Sequence, residues 1–80
     1  MEHHHITQAL LSVRDRMASI LNLVNDHHQV LFHQTLSFAE GRGGVIVSFL
    51  AILELAKQSL LQIIQTTAFS PIYLMAIEND

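Results

Sequence analysis

One stretch, Gly43 to Gln58, is apolar at more positions than a single helical face holds. At about 100° of rotation per residue, Val45, Ile46, Phe49, Leu50, Ile52, Leu53 and Ala56 gather on one broad side, which predicts the core face. Ser48, Glu54 and Gln58 mark the opposite, solvent side, yet Val47, Ala51 and Leu55 run four residues apart straight through them. The expectation is a helix that is either central to its own domain or shared with a partner, and in a chain this short both can hold at once.

Before it, Leu10, Val13, Met17, Ile20, Leu21 and Val24 recur at three- and four-residue steps, with Arg14, Asp15, Arg16, Ser19 and Asn22 between them, and predict a helix over Ile6 to Asn25. Ser12 and Asp15 resemble a capping box that would start the main helix at Val13, with Thr7 as an earlier alternative. Asn25-Asp26-His27-His28 ends it with short polar side chains that bond their own backbone. Gln29 to Phe32 is a short β-like run, and Thr35 to Ala39 suits a brief helix or turn that drops Leu36 and Phe38 toward the core. Glu40 to Gly44 reads as a flexible turn before the long helix, since it lacks the residue order of a phosphate-binding loop. After Gln58 the period changes to alternation. Leu60 to Thr66 and Ile72 to Ile77 are strand candidates joined through Thr67 to Pro71, forming a hairpin that is apolar on both faces. Pro71 is tolerated at a strand start, where its missing N–H costs nothing.

Composition narrows the functional classes. The chain has 80 residues, half of them hydrophobic and 14% charged, with a net charge of −3, so it forms one small domain with an unusually apolar surface to cover. At roughly 0.05–0.15 kcal/mol per residue its stability is about 4–12 kcal/mol, and truncating a core leucine, for which Leu53 is the expected example, consumes much of that. Polar residues interrupt every apolar run before the length of a membrane span, and no secretory signal opens the sequence. Without cysteine there is no disulfide framework or thiolate chemistry. His3, His4 and His5, natural or the remnant of an affinity tag, belong to an expected flexible segment over residues 1–9; adjacent histidines make a poor metal site. His27, His28 and His33 read as solvated side chains rather than ligands. No Ser-His-Asp arrangement or opposed carboxylate pair suggests catalysis, so neither metal nor cofactor is expected.

The order helix, short strand, short helix, longer helix, hairpin is that of an α+β winged-helix domain over residues 10–80, a helix-turn-helix variant with a C-terminal β-hairpin wing. Gly43 to Gln58 then takes the place of the recognition helix. Duplex binding needs several cations against phosphates and polar side chains against base edges, whereas this chain has four basic residues in all and none on the wing strands. Direct sequence-specific nucleic-acid binding is therefore not expected.

The blocks Leu11 to Met17, Ile20-Leu21, Ser48 to Lys57, Gln65, Phe69 and Ile72-Tyr73-Leu74, in this order and spacing, resemble the C-terminal winged-helix domain of segregation and condensation protein A, the bacterial kleisin. The resemblance covers roughly Leu10 to Ile77. Thr66-Thr67 and Ser70-Pro71 depart from the family, which often carries acidic residues after the glutamine and Gly-Asp before the last strand; the departure bears on the wing. The family's N-terminal helical domain and central linker are missing, so the chain resembles a C-terminal piece of a longer kleisin. The resemblance implies a non-enzymatic adaptor that docks on the SMC ATPase head of a cytoplasmic, nucleoid-associated chromosome segregation and condensation complex. A second accessory protein would be reached only through the missing middle region, and no membrane is involved. The expected interface is Val47, Ala51 and Leu55 on the long helix with Tyr73 and Met75 on the hairpin, and with Phe49 and Leu53 in contention between core and surface. A winged-helix transcription regulator and a homodimerising module are the competing readings, the first separated by salt-dependent DNA binding and the second by a concentration-dependent mass.

Overall fold

A single helix, α1 (His3–His27), opens the fold and runs without interruption through the proposed break at Ser12. The structure is a computed structural model that describes residues 3–36 and 38–77, with side chains from residue 12 onward. Ser12 lies inside the helix, so it caps nothing; the apolar period continues on both sides of it, and continuous backbone bonding wins over a local side-chain bond. Ile20 and Val24 are buried, and Val13, Met17, Leu21 and Leu23 pack around them. Of the face expected on α1, Leu10 lies outside the described side chains. The helix stops where His28 takes a left-handed conformation, φ 65°.

Strand β1 (Gln29–Leu31) follows, then two single 3₁₀ turns over Phe32–Thr35 and Phe38–Glu40, then helix α2 (Gly41–Lys57) and strands β2 (Leu61–Ile64) and β3 (Tyr73–Ala76). Thr35 is buried and its hydroxyl donates to the Phe32 carbonyl at 2.7 Å, which fixes the first turn. Phe38, expected inside, is 63% exposed, because its turn lies outside the core. The glycine-rich stretch is not a flexible turn: Gly41, at φ 79°, makes the bend and Arg42, Gly43 and Gly44 already form the first turn of α2. At the other end Leu60 N–H donates to the Leu55 carbonyl at 2.9 Å and Ser59 N–H to Ala56 at 3.0 Å. This is a Schellman closure with left-handed Ser59, φ 61°, in the position glycine usually holds.

The predicted hairpin forms, pairing Leu61 with Ala76 and Ile64 with Tyr73. The sheet has a third member, since β1 lies antiparallel on the other side of β3, with Gln29 opposite Met75 and Leu31 opposite Tyr73. Phe32 N–H to the Ile72 carbonyl (2.8 Å) and Ala76 N–H to the His28 carbonyl (3.1 Å) extend that pairing at both ends. The result is the α+β arrangement of a winged helix, with Val30, Leu61 and Leu74 of the sheet closing on Ile20, Val24, Ala51, Ile52 and Leu55 of the helices.

The roll of α2 differs from expectation. Ala51, Ile52 and Leu55 are buried, and so is Ser48, whereas Ile46, Phe49, Leu50 and Leu53 face outward. The line expected to be surplus is the core line. A helix apolar on most sides has no steep hydrophobic gradient to orient it, so side-chain size decides: the small Ser48 and Ala51 turn inward where α1 packs across α2.

A candidate docking face

On the outward side of α2, Ile46, Phe49, Leu50 and Leu53 follow the i, i+3, i+4, i+7 spacing of one helical stripe. Each is between 44% and 49% exposed, so the four rows of apolar atoms adjoin one another in solvent. Phe49 is braced from behind: Phe32 meets it edge to face, the ring centroids 6.1 Å apart and the planes at 85°. Phe32 is itself packed against the core, so the ring at the centre of the stripe is held by the body of the domain.

The hairpin adds a second apolar area. Leu60 and Ile63 are exposed along β2, an edge strand with no charged residue between Leu60 and Gln65. Tyr73 and Met75, half-buried, share the sheet face away from Leu74, beside Ile64 and Leu31 in the register. At the wing tip the Ser70 hydroxyl donates to the Thr67 carbonyl (2.6 Å) and accepts from Thr67 N–H (3.1 Å), while the Gln65 amide donates to the Ser70 carbonyl (2.9 Å). This bonded turn carries Phe69 fully exposed and in a left-handed conformation, φ 67°.

Of the residues the sequence put forward, Phe49 and Leu53 lie on the open stripe, and Tyr73 and Met75 on the outer sheet face. Val47 is half-buried, and Ala51 and Leu55, at 0% and 1% exposure, are enclosed by the chain's own core and have no surface to give a partner. Ile46 and Leu50 were assigned to the core and stand on the stripe instead. The signal that identifies them is the distribution of bulk round the helix rather than of polarity.

Little else offers chemistry. Among the described residues no group of three or more His, Cys, Asp or Glu is placed to hold a metal ion. An open groove of roughly 530 Å³ between α1 and β1 is lined by Leu23, His27, Gln29, Val30 and Gln34. Among the described residues no helix is long and apolar enough to cross a membrane. Arg16 of α1 pairs with Glu40 at the entry to α2 and ties the two helices together at the surface.

No protein-family model matches the sequence. Curated relatives do. A protein named Segregation and condensation protein A from Coxiella burnetii is 38% identical over 73 residues, covering 91% of this chain and 27% of the relative. Its namesake from Xylella fastidiosa strain 9a5c is 45% identical over 74 residues, 92% of this chain and 24% of the relative. Another, from Listeria welshimeri, is 32% identical over 74 residues, 90% of this chain and 29% of the relative. The chain therefore spans about a quarter of the length of the curated relatives it matches.

Proposed function

Because the chain belongs to the segregation and condensation protein A family, we propose that it is that family's C-terminal winged-helix domain and works in chromosome segregation and condensation as a non-enzymatic adaptor docking on an SMC ATPase head. The observation that carries the reading is the α2 stripe. Ile46, Phe49, Leu50 and Leu53 lie side by side and solvent-exposed on the helix that occupies the recognition position of a winged helix. A contiguous apolar patch of this kind on a domain of 80 residues supports an interface reading. Leu60 and Ile63, exposed just before and within edge strand β2, and half-buried Tyr73 and Met75 on the sheet face away from Leu74, are separate apolar positions on the wing side.

The same helix is poorly made for DNA. Its outward side carries no amide or hydroxyl to read base edges, and the four basic residues are spread over Arg14, Arg16, Arg42 and Lys57, with Arg16 engaged by Glu40. Work at the nucleoid would come through the partner, and the rest of the complex, including the second accessory protein, would be met by parts of the relatives that this chain does not span.

Calorimetric titration of the chain into the purified SMC ATPase head of the same organism tests the proposal. Saturable binding that Leu53→Glu and Phe49→Glu abolish, with circular dichroism of both variants unchanged, is the expected result. Tyr73→Glu then reports whether the sheet face takes part. A folded wild-type chain that gives no saturable heat at high concentration rules head docking out.

A further inference from the structure

Resting on the docking reading above, we infer that the surface received by α2 is an apolar channel with a carboxylate-bearing patch at each end, and that a second copy of this chain is excluded from it. Projected down the helix, Arg42, Ile46, Phe49, Leu50, Leu53 and Lys57 fall within one sector of about 100°. The stripe thus begins and ends with a cation, and at 1.5 Å of rise per residue the two lie about 22 Å apart along the axis.

Neither cation is occupied within the domain. Both side chains are exposed, and among the described residues neither makes an ion pair or hydrogen bond. Of the acids closest in sequence, Glu40 pairs with Arg16, and the Glu54 carboxylate accepts from the Gln58 amide at 2.7 Å. Lys57 in the last turn suits the helix dipole, but Arg42 sits in the first turn, where the aligned peptide dipoles disfavour a positive charge. Helix stability therefore gives no reason for Arg42, whereas an acidic partner does.

The two charges also select among occupants. A two-fold pairing of α2 with its copy, if antiparallel, sets Arg42 of one chain against Lys57 of the other at both ends. A parallel pairing sets Arg42 on Arg42 and Lys57 on Lys57. Both put like charges at the rim of an apolar contact, which disfavours that match. A phosphate backbone would engage the cations but leave the four apolar side chains between them without a counterpart. A protein face that is apolar at its centre and acidic at both ends satisfies all six residues.

Rim charges act chiefly on encounter rate and salt dependence, so the test reads those. The purified SMC ATPase head is titrated with the wild-type chain, the Arg42→Glu/Lys57→Glu double variant, Arg14→Glu as a charge change on the exposed side of α1, and Leu53→Glu, each checked by circular dichroism. Expected are wild-type affinity that falls as salt rises, a loss of about tenfold or more at low salt with a flattened salt slope for the double variant, and wild-type behaviour for Arg14→Glu. Salt-insensitive binding, a double variant equal to wild type, or an equal loss with Arg14→Glu overturns this inference while leaving docking intact if Leu53→Glu still abolishes it. Failure of the folded wild type to bind overturns both. A wild-type mass that doubles with concentration, and returns to the monomer value with Leu53→Glu, names the second copy as occupant and overturns the inference.

Discussion

Phe32 stands edge-on to Phe49, with centroids 6.1 Å apart and planes at 85°, and so links the 3₁₀ turn after β1 to the centre of the exposed α2 stripe. One ring is part of the packed body of the domain and the other is nearly half exposed. Such a pair contributes about 0.5–1.5 kcal/mol beyond the area it buries. A double-mutant cycle with Phe32→Leu and Phe49→Leu, read by urea denaturation, is expected to give a coupling in that range. Additive single effects would mean that Phe49 is not braced by Phe32.

The roll of α2 is tested by two leucines two residues apart. Leu55 is 1% exposed, and Leu55→Ala is expected to cost about 2–5 kcal/mol, much or all of the stability of a domain this size. Leu53 is 44% exposed, so Leu53→Ala is expected to cost less than about 1 kcal/mol while weakening docking. Thermal unfolding of the two variants side by side decides it, and the reverse order would restore the facing read from periodicity.

Ser48 is fully buried and its hydroxyl has no hydrogen-bond partner among the described residues. An unsatisfied buried polar group costs about 1–3 kcal/mol, so Ser48→Ala is expected to stabilise by about 1 kcal/mol and to raise the melting temperature by about 4–8 °C. Ser48→Val adds bulk where the helices meet and is expected to lower stability by about 1–3 kcal/mol. A melting temperature that drops with Ser48→Ala would show that the hydroxyl has a partner in solution.

His28 and Phe69 hold left-handed backbone, φ 65° and 67°, with exposed side chains. The conformation costs an L-residue roughly 1–2 kcal/mol, of which glycine's greater freedom in the unfolded chain returns about 0.5–1. His28→Gly and Phe69→Gly are each expected to raise stability by about 0.5–1 kcal/mol in chemical denaturation. For Phe69→Gly, a loss instead would place the ring in a contact of the free domain.

The Arg16–Glu40 pair joins α1 to the start of α2 at the surface, with Arg16 the less exposed partner. Glu40→Gln is expected to cost no more than about 1 kcal/mol, and the difference from wild type is expected to shrink as salt is raised from about 0.05 to 1 M, measured as the shift in denaturation midpoint. A difference that persists at high salt would point to a role for the Glu40 side chain other than charge.

Sequence by itself determined the kinds of element and their order, because each rests on local signals: the 3.6-residue period of Val13, Met17, Ile20, Leu21 and Val24, the switch to alternation after Gln58, and the turn residues around Pro71. The family was also legible, since ordered blocks along the whole chain carry it. Tertiary structure decided three things that have no local code. Strand β1 pairs with β3 across more than 40 positions of chain, which nothing near Gln29 announces. Glycines 41, 43 and 44 enter the helix rather than precede it, because Gly41 alone supplies the bend. Above all, α2 turns Ser48, Ala51 and Leu55 inward and leaves Ile46, Phe49, Leu50 and Leu53 outside. Burying the Ile46, Phe49, Leu50 and Leu53 side would remove more apolar area from water than burying Ser48, Ala51, Ile52 and Leu55, so apolar area does not set the roll; the fit of small side chains between packed helices does, and that fit exists only once α1 and α2 are together.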